Sequence, residues 1–450
     1  LNPDRYINFS VFGKKNKAFK KNNSLELIPN IVFSLILIVS LGFFVRNIKR
    51  LRRNINFGKG QTETIEDSPQ RWKNMIRIAL GQSKMVRRPI AGILHIVVYL
   101  GFIIINIELI EIIIDGVFGT HRIFSSIGVL YGVLIGLFEI FAVLVLIAVL
   151  IFWTRRNLTR IKRFYETKMM GWPKLDADLI LYFEIVLMSL FLLMNATDAE
   201  FQNMNNGNLI SGLIYPFFEG FSSETLHILE RSFWWSHIVG ILIFLNYLYY
   251  SKHLHIILAF PNTFYGSLEN SGKLNNMKSV TNEVNIMMGK TSESDTLDDI
   301  NFGASDVKDL SWLQLLNAYS CTECGRCTSS CPANITGKKL SPRKIMMDVR
   351  DRIEEVGRNI DKNRSFKDDN KKLLGDYISK EELWACTSCN ACVEECPISI
   401  NPLSIIMDMR RHLIMEESSA PNELNNMMNN IENNGAPWPY NQQDRLNWNE

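Results

Sequence analysis

The chain has 450 residues, of which 47% are hydrophobic and 21% charged, and its formal net charge is +3. This length allows two or three domains, and the apolar residues concentrate in the first 260 positions, so the chain has two different halves. Its basic residues lie beside apolar segments and form no nucleic-acid recognition module, so no nucleic-acid partner is expected.

Five apolar stretches are long enough to cross a bilayer as helices. They cover about residues 28–46, 89–115, 127–153, 178–197 and 233–259. Lysine and arginine crowd the connections that follow the first and third stretches, whereas the other connections are acidic. The positive-inside rule therefore predicts a multi-pass membrane protein with its C-terminal half in the cytoplasm. The membrane expected for it is the cytoplasmic (inner) membrane of a bacterium.

Four histidines lie in or beside these stretches. His95 is near the cytoplasmic end of the second stretch, and His253 and His255 are near that end of the fifth. His95 can therefore meet either of them at one membrane depth, as two axial ligands of haem b. His237 and His255 are 18 residues apart, or five helical turns, which places them on one helix face and favours His255 over His253. The alternative is that these histidines only form hydrogen bonds.

A second haem would use His237, near the outer end of the fifth stretch, but the second stretch has Ile105 where its partner would be. His121 and His227 are only loop candidates for that role. Glu139 and Glu184 lie inside the third and fourth stretches, where ionised carboxylates are costly. They are interpreted either as proton carriers to a quinone or as structurally paired groups.

All eight cysteines belong to two copies of one motif, at residues 321–331 and 386–396, each followed by proline. The spacing C-x2-C-x2-C-x3-C-P binds [4Fe-4S] clusters, and in two-cluster proteins the fourth cysteine of each run binds the other cluster. Structural zinc and disulfides fit this spacing and a reducing compartment less well. The predicted ligand sets are Cys321, Cys324, Cys327 and Cys396 for one cluster, and Cys386, Cys389, Cys392 and Cys331 for the other.

A helix is expected after each motif, because a capping residue precedes proline in Ser341-Pro342 and Asn401-Pro402. No alternating strand pattern is present. The sequence therefore predicts an all-α fold: a five-helix transmembrane haem b bundle, then a cytoplasmic α-helical ferredoxin domain with two [4Fe-4S] clusters. The predicted domains are an N-terminal extension (1–25), the membrane domain (26–260), a linker (261–318), the ferredoxin domain (319–417) and a tail for partner contact (418–450).

The segments Trp234–His237, Ser251–His255 and Cys321–Cys327 resemble those of heterodisulfide-reductase-related membrane iron-sulfur proteins (D- and E-subunit type). The membrane part is similar to the gamma subunit of respiratory nitrate reductase, and the whole to electron-transferring flavoprotein:menaquinone oxidoreductases. The resemblance implies a haem b domain that exchanges electrons with menaquinone, and clusters that connect it to a soluble partner. The chain departs from these families in two ways. The nitrate-reductase-like domain uses two histidines in its second span, whereas only His95 is present here. Family members often continue into cysteine-rich CCG domains, which these 450 residues lack, so that chemistry is expected in a separate subunit.

The sequence thus predicts the electron-transfer subunit of a quinone-linked oxidoreductase. It would pass electrons between a soluble CCG-domain or flavoprotein-type partner, such as electron-transferring flavoprotein, and the menaquinone pool. Catalysis would need that partner subunit. The alternatives are a redox-sensing or scaffold iron-sulfur membrane protein and a subunit of a disulfide reductase.

Overall fold

The structure, a computed structural model, describes residues 19–449 except 61–66, 205, 270–271, 275 and 291–301. Most of the predicted N-terminal extension and part of the predicted linker therefore lie outside the described residues. Within those ranges the chain is helical, with two isolated β-bridges and no strand. The predicted all-α fold is confirmed.

The α-helices in chain order are α1 (Phe19–Ile55), α2 (Ser68–Met75), α3 (Pro89–Phe118), α4 (Val129–Asn157), α5 (Trp172–Thr197), α6 (Ala199–Met204), α7 (Ser211–Ile214), α8 (Ser223–Tyr247), α9 (His255–Phe264), α10 (Lys278–Met287), α11 (Trp312–Ser320), α12 (Arg326–Ser329), α13 (Pro332–Ile335), α14 (Pro342–Asn363), α15 (Lys380–Trp384), α16 (Ala391–Glu395), α17 (Pro402–Met415) and α18 (Asn422–Asn434). Short 3₁₀ or π segments are Ile76–Leu80, Met85–Arg87, Ile123–Ile127, Lys162–Phe164, Thr167–Met169, Tyr215–Phe217, Leu248–Tyr250, Lys252–Leu254, Val307–Asp309, Leu373–Tyr377 and Gln442–Asn449.

Five of these helical segments are long and apolar enough to span a membrane, which confirms the predicted number. They are Leu27–Ile55, Pro89–Phe118, Val129–Asn157, Trp172–Thr197 and Ser223–Tyr250. Most are longer than the apolar stretches, because the helices continue through polar residues at their ends. Arg52 and Arg53, for example, form the last turn of α1, where positive charge is favourable.

The fifth span ends earlier than the sequence indicates. The chain leaves the helix at Leu248–Tyr250, and Ser251 is extended, with φ −109° and ψ 147°. The buried carboxylate of Asp176 stabilises this break, since it accepts hydrogen bonds from the Tyr247 hydroxyl at 2.6 Å and the Lys252 amide at 3.1 Å. His255 therefore begins a separate helix and, contrary to the prediction, does not share a helix face with His237.

The chain forms two compact units, each discontinuous in sequence. The first, the membrane unit, contains residues 1–49 and 85–254; the second, the cluster unit, contains residues 50–84 and 255–450. Residues 50–84 were predicted to belong to the membrane domain, and much of the predicted linker is also part of the cluster unit. In the cluster unit, Asn54 donates a hydrogen bond to the Tyr319 hydroxyl at 2.9 Å, and Lys59 exchanges backbone hydrogen bonds with residues 310 and 312.

In the membrane unit, α4 packs against α3 and α5, and α5 packs against α8. The core includes Phe138, Ala142, Phe191 and Ile238, all 2% exposed or less. The fully buried Glu139 lies beside this core, and its oxygens accept hydrogen bonds from Asn195 Nδ2 and from the backbone amides of residues 210 and 211, at 2.7–3.1 Å. Of the two interpretations of Glu139, these contacts favour structural pairing.

The cluster unit has the two capped helices that the sequence predicts. The Ser341 side chain accepts from the amide of residue 344 at the start of α14, and Asn401 Oδ1 accepts from the amide of residue 404 at the start of α17, at 3.0 Å. Proline occupies the first helical position in each case. Gly303 lies against the backbone of α17, where a Cβ atom would come within 2.1 Å of the Asp408 carbonyl oxygen.

A fully buried arginine ties α14 to the rest of the cluster unit. Arg352 donates to both carboxylate oxygens of Asp306, at 3.0 and 2.9 Å, and to both oxygens of Asp369, at 2.9 and 2.6 Å. It also donates to the carbonyl of Lys371 at 2.8 Å. The guanidinium thereby joins α14 to two segments, one at Asp306 and one at residues 369–371.

Candidate functional site

The first motif and the last cysteine of the second motif line one small cavity in the cluster unit. Its wall contains the first predicted ligand set, namely Cys321, Cys324, Cys327 and Cys396, and also Cys392 of the second predicted set. Gly325, with φ +71°, and Glu323, with φ +55°, turn the loop around this cavity. The wall also contains Arg326 and Arg343, both nearly fully buried, and an anionic cluster bound by four thiolates would be compatible with these positive charges.

Burial dominates the electrostatics of these thiols. It raises the pKa of Cys321 to about 12 and that of Cys396 to about 11, and it raises the pKa of Cys327 well above its usual value. The neighbouring thiols add to the shift of Cys327, because several thiolates side by side repel one another. Such a donor set becomes anionic only when metal cations supply the compensating charge, so the residues present fit an iron-sulfur cluster.

The other four cysteines form a second group. Cys392 interacts electrostatically with Cys386, Cys331 and Cys389, in that order. Burial raises the pKa of Cys392 to about 12, and it also raises the pKa of Cys386. The structure thus brings together the thiols that the crossed-ligand hypothesis assigns to one cluster, with Cys331 coming from the first motif. The ligand assignment itself stays a prediction.

Each helix that follows a motif places an arginine on a cluster loop. Arg350 of α14 forms an ion pair with Glu323 in the first motif. Arg410 of α17 donates to the carbonyls of Leu383, at 3.0 and 2.6 Å, and Cys386. The two arginines stand at matching positions, each eight residues after the proline of Ser341-Pro342 or Asn401-Pro402. The positive charge of Arg350 acts to lower the pKa of Cys321, and that of Arg410 acts to lower the pKa of Cys386, although burial has the larger, opposite effect on both.

The predicted haem ligands lie in both units. His95 is half-buried in α3 and, like His253 in the turn after the fifth span, belongs to the membrane unit. His255 is the first residue of α9 and belongs to the cluster unit. Since the helix-face argument no longer separates His253 from His255, both stay predicted partners of His95.

His237 lies in a cavity inside the membrane unit, between α3, α5 and α8. The cavity has a volume of about 100 Å³ and is mostly apolar, with Ile105 and Glu184 in its wall. His237 is 3% exposed, and its Nδ1 has no hydrogen-bond partner among the described residues. The wall holds no second histidine among the described residues. This cavity is called the intramembrane cavity below.

A larger polar cavity of about 850 Å³ lies at the end of the membrane unit that is predicted to face outward. His121, Asp198 and Glu230 converge there, with one ligand-type atom of each within 4.8 Å of the others. The hydrogen bond with Asp198, at 3.2 Å, raises the pKa of His121. Burial works in the opposite direction for Asp198, but the hydrogen bond from His121 and the charge of Arg122 lower its pKa.

Arg122 is the centre of the polar cavity's wall. It is 7% exposed and donates to Asp198 at 2.7 Å, to Asn195 at 2.8 Å and to the Tyr131 hydroxyl at 3.2 Å. Tyr131 in turn donates to Glu111 at 3.2 Å. The wall also includes Glu108, which, like Glu111, is 3% exposed in α3.

Sequence reasoning missed this group of residues. Arg122 was not considered, Asp198 was counted only as part of an acidic connection, and His121 and His227 were only loop candidates. His227 in fact lies near the start of α8. A usable signal was present, because Glu108 and Glu111 are three residues apart within an apolar helix. That spacing places both carboxyl groups on one helix face, where the membrane makes them costly.

Comparison with known families identifies one domain. Residues 320–400 match the family model described as "4Fe-4S dicluster domain". No solved structure matches the chain significantly.

Several curated proteins are similar over most of the chain. One is "Probable iron-sulfur-binding oxidoreductase FadF" of Bacillus subtilis, 30% identical over 94% of this chain and 61% of that protein. Another is "EtfAB:quinone oxidoreductase" of Syntrophomonas wolfei, 25% identical over 87% of this chain and 55% of that protein. Over a shorter range, one subunit of a CoB-CoM heterodisulfide reductase of Methanosarcina acetivorans is 36% identical over 24% of this chain and 52% of that protein. The chain thus spans about 60% of the length of the first two relatives.

Proposed function

We propose that this chain, a membrane iron-sulfur protein related to heterodisulfide reductases, passes electrons between a soluble redox partner and the menaquinone pool. A redox role for the chain is already supported by its oxidoreductase homologues and its dicluster domain. The proposal adds the route: two [4Fe-4S] clusters in the cluster unit and haem b in the membrane unit. It also adds the menaquinone pool as one end of that route.

The observation that carries the proposal is the grouping of all eight cysteines within the cluster unit of a chain that also has five helices long and apolar enough to span a membrane. Bound clusters and haem would supply one-electron chemistry that side chains lack. The chain's own residues would hold and tune them. The cysteines would provide thiolate ligands, and Arg350 and Arg410 would stabilise added negative charge at each cluster loop. No cysteine remains for a disulfide-active site within these 450 residues, so the electron-transfer role is favoured over disulfide reduction.

The proposed haem ligands are His95 with His255, or with His253. The proposed orientation has the cluster unit in the cytoplasm, because the connections rich in lysine and arginine after the first and third spans are expected to face inward. The soluble partner would then be a cytoplasmic flavoprotein or CCG-domain subunit. The name of the Syntrophomonas relative supports the first choice, because it specifies EtfAB and a quinone.

An anaerobic optical and EPR titration of the purified full-length chain with a menaquinol analogue tests the proposal. Quinol is expected to reduce the haem and, through it, the clusters. A protein without b-type haem, or with haem and clusters that neither quinol reduces nor quinone oxidises, would instead support the sensor or scaffold function.

Replacement of His95 tests the haem assignment within the same preparation. His95→Ala is expected to remove essentially all b-type absorption while both cluster signals remain, because a bis-histidine haem needs both axial ligands. His227→Ala is the matched control, since it replaces an exposed histidine in α8, and it should keep the full haem band. An unchanged haem spectrum in His95→Ala would exclude His95 as a ligand.

A further inference from the structure

Glu108 lies in the walls of both cavities of the membrane unit. It lines the polar cavity together with His121, Arg122 and Glu230, and it lines the intramembrane cavity together with Glu184. The only other residue common to the two walls is the apolar Ile112. Glu108 is therefore the one ionisable side chain of the described residues that both cavities share.

The carboxyl group of Glu108 keeps one oxygen available as a proton acceptor. It is 3% exposed, and its Oε2 atom is buried without a hydrogen-bond partner among the described residues. Glu139, by contrast, has both oxygens engaged by donors, namely Asn195 Nδ2 and the backbone amides of residues 210 and 211. A buried ionisable group inside a membrane protein commonly marks an ion or proton pathway, and the orphan oxygen supplies the acceptor that such a step needs.

The groups around Glu108 can supply it with protons. The charges that act on it are those of Arg122, Glu111 and Glu139. Glu111 is one helical turn away in α3 and is hydrogen-bonded to Tyr131. His121, 39% exposed, lies at the polar cavity in contact with Asp198. The polar cavity thus provides titratable groups from its solvent-exposed edge to the level of Glu108.

We propose that Glu108 transfers protons between the polar cavity and the intramembrane cavity. The inference rests on the proposed function for its proton demand, because reduction of one quinone to quinol takes up two electrons and two protons, and oxidation releases them. The electrons would come from or go to the bound redox centres. The protons would pass through the Glu108 carboxyl, one at a time, to or from the polar cavity.

Infrared difference spectroscopy of the holoprotein tests the proton-exchange step without any quinone. A pH titration is expected to show a carboxyl C=O band that is missing in Glu108→Gln, is retained in Glu184→Gln and shifts promptly after transfer to D2O. Glu184→Gln is the matched control, because Glu184 lines only the intramembrane cavity. A Glu108 carboxyl that never changes protonation, or that does not exchange with D2O, would overturn the proposal.

The second measurement follows oxidation of pre-reduced clusters by a menaquinone analogue in vesicles with a trapped pH dye. Glu108→Gln is expected to slow oxidation by about 10²-fold, the usual scale for loss of a proton-transfer group, and Glu108→Asp should recover part of the rate. Equal rates and equal proton uptake in the wild type and Glu108→Gln would refute the role of Glu108 while leaving quinone-linked electron transfer intact. If the Glu108 carboxyl exchanged its proton but quinone did not oxidise the clusters, the proposed quinone-linked function would fail while Glu108 would remain a proton-exchanging group.

Discussion

A Cys396→Ala protein is expected to lose the same cluster as a Cys321→Ala protein, although the two residues are in different motifs. The reason is that Cys396 lines the cavity of the first motif's thiols. Iron content should fall from about eight to about four atoms per chain in both variants, and the EPR signal that remains should be the same. The measurement is iron analysis and low-temperature EPR of the anaerobically purified full-length protein.

The reciprocal pair is Cys331→Ala and Cys386→Ala. Both variants should lose the second cluster and keep the EPR signal of the first, which the Cys321→Ala and Cys396→Ala proteins lack. Ser329→Ala is the matched control, because it changes an exposed residue inside the first motif and should retain both clusters. If Cys396→Ala instead gave the spectrum of Cys386→Ala, each motif would bind its own cluster and the crossed assignment would be wrong.

Arg352→Ala is expected to destabilise the cluster unit by about 3–5 kcal/mol, the usual cost of removing one partner from a buried ion pair. The substitution leaves the carboxylates of Asp306 and Asp369 without their bidentate donor and the carbonyl of Lys371 without its partner. The measurement is guanidinium-induced loss of cluster absorption in the full-length protein, compared with wild type.

Arg358→Ala, an exposed change on the same helix, should shift the same transition by less than about 0.5 kcal/mol. The loss of stability in Arg352→Lys should lie between those of Arg358→Ala and Arg352→Ala, because an ammonium group cannot form two bidentate pairs. If Arg352→Ala lost its cluster absorption at the same guanidinium concentration as the wild type, the ion-pair network would contribute little net stability.

Local patterns in the sequence were sufficient for much of the fold. The number of spans follows from runs of apolar residues, and the starts of α14 and α17 follow from Ser341-Pro342 and Asn401-Pro402, since each pattern acts over a few residues. The end of the fifth span could not be predicted in this way. The apolar run continues past Tyr250, and the break depends on Asp176, which is distant in sequence and becomes a partner only after folding.

The candidate site divides in the same manner. Eight cysteines in two fixed spacings predict a cluster domain from the sequence alone, and the family comparison identifies that domain at residues 320–400. The position of Glu108 between two cavities depends instead on how α3 packs against its neighbours. A single helix pattern gives the depth of Glu108 in the membrane, but not the empty volumes on either side of it.

The cluster unit also constrains the order in which the protein can be made. Residues 50–84 emerge from the ribosome early, yet their packing partners, such as Tyr319 and Leu310, follow the last four spans. The unit therefore cannot complete its core until membrane insertion is finished, because contacts of such large sequence separation form only when both segments exist. Delivery of iron and sulfide would then be a late event in biogenesis, and a ribosome stalled before residue 255 would leave a basic segment exposed at the membrane surface.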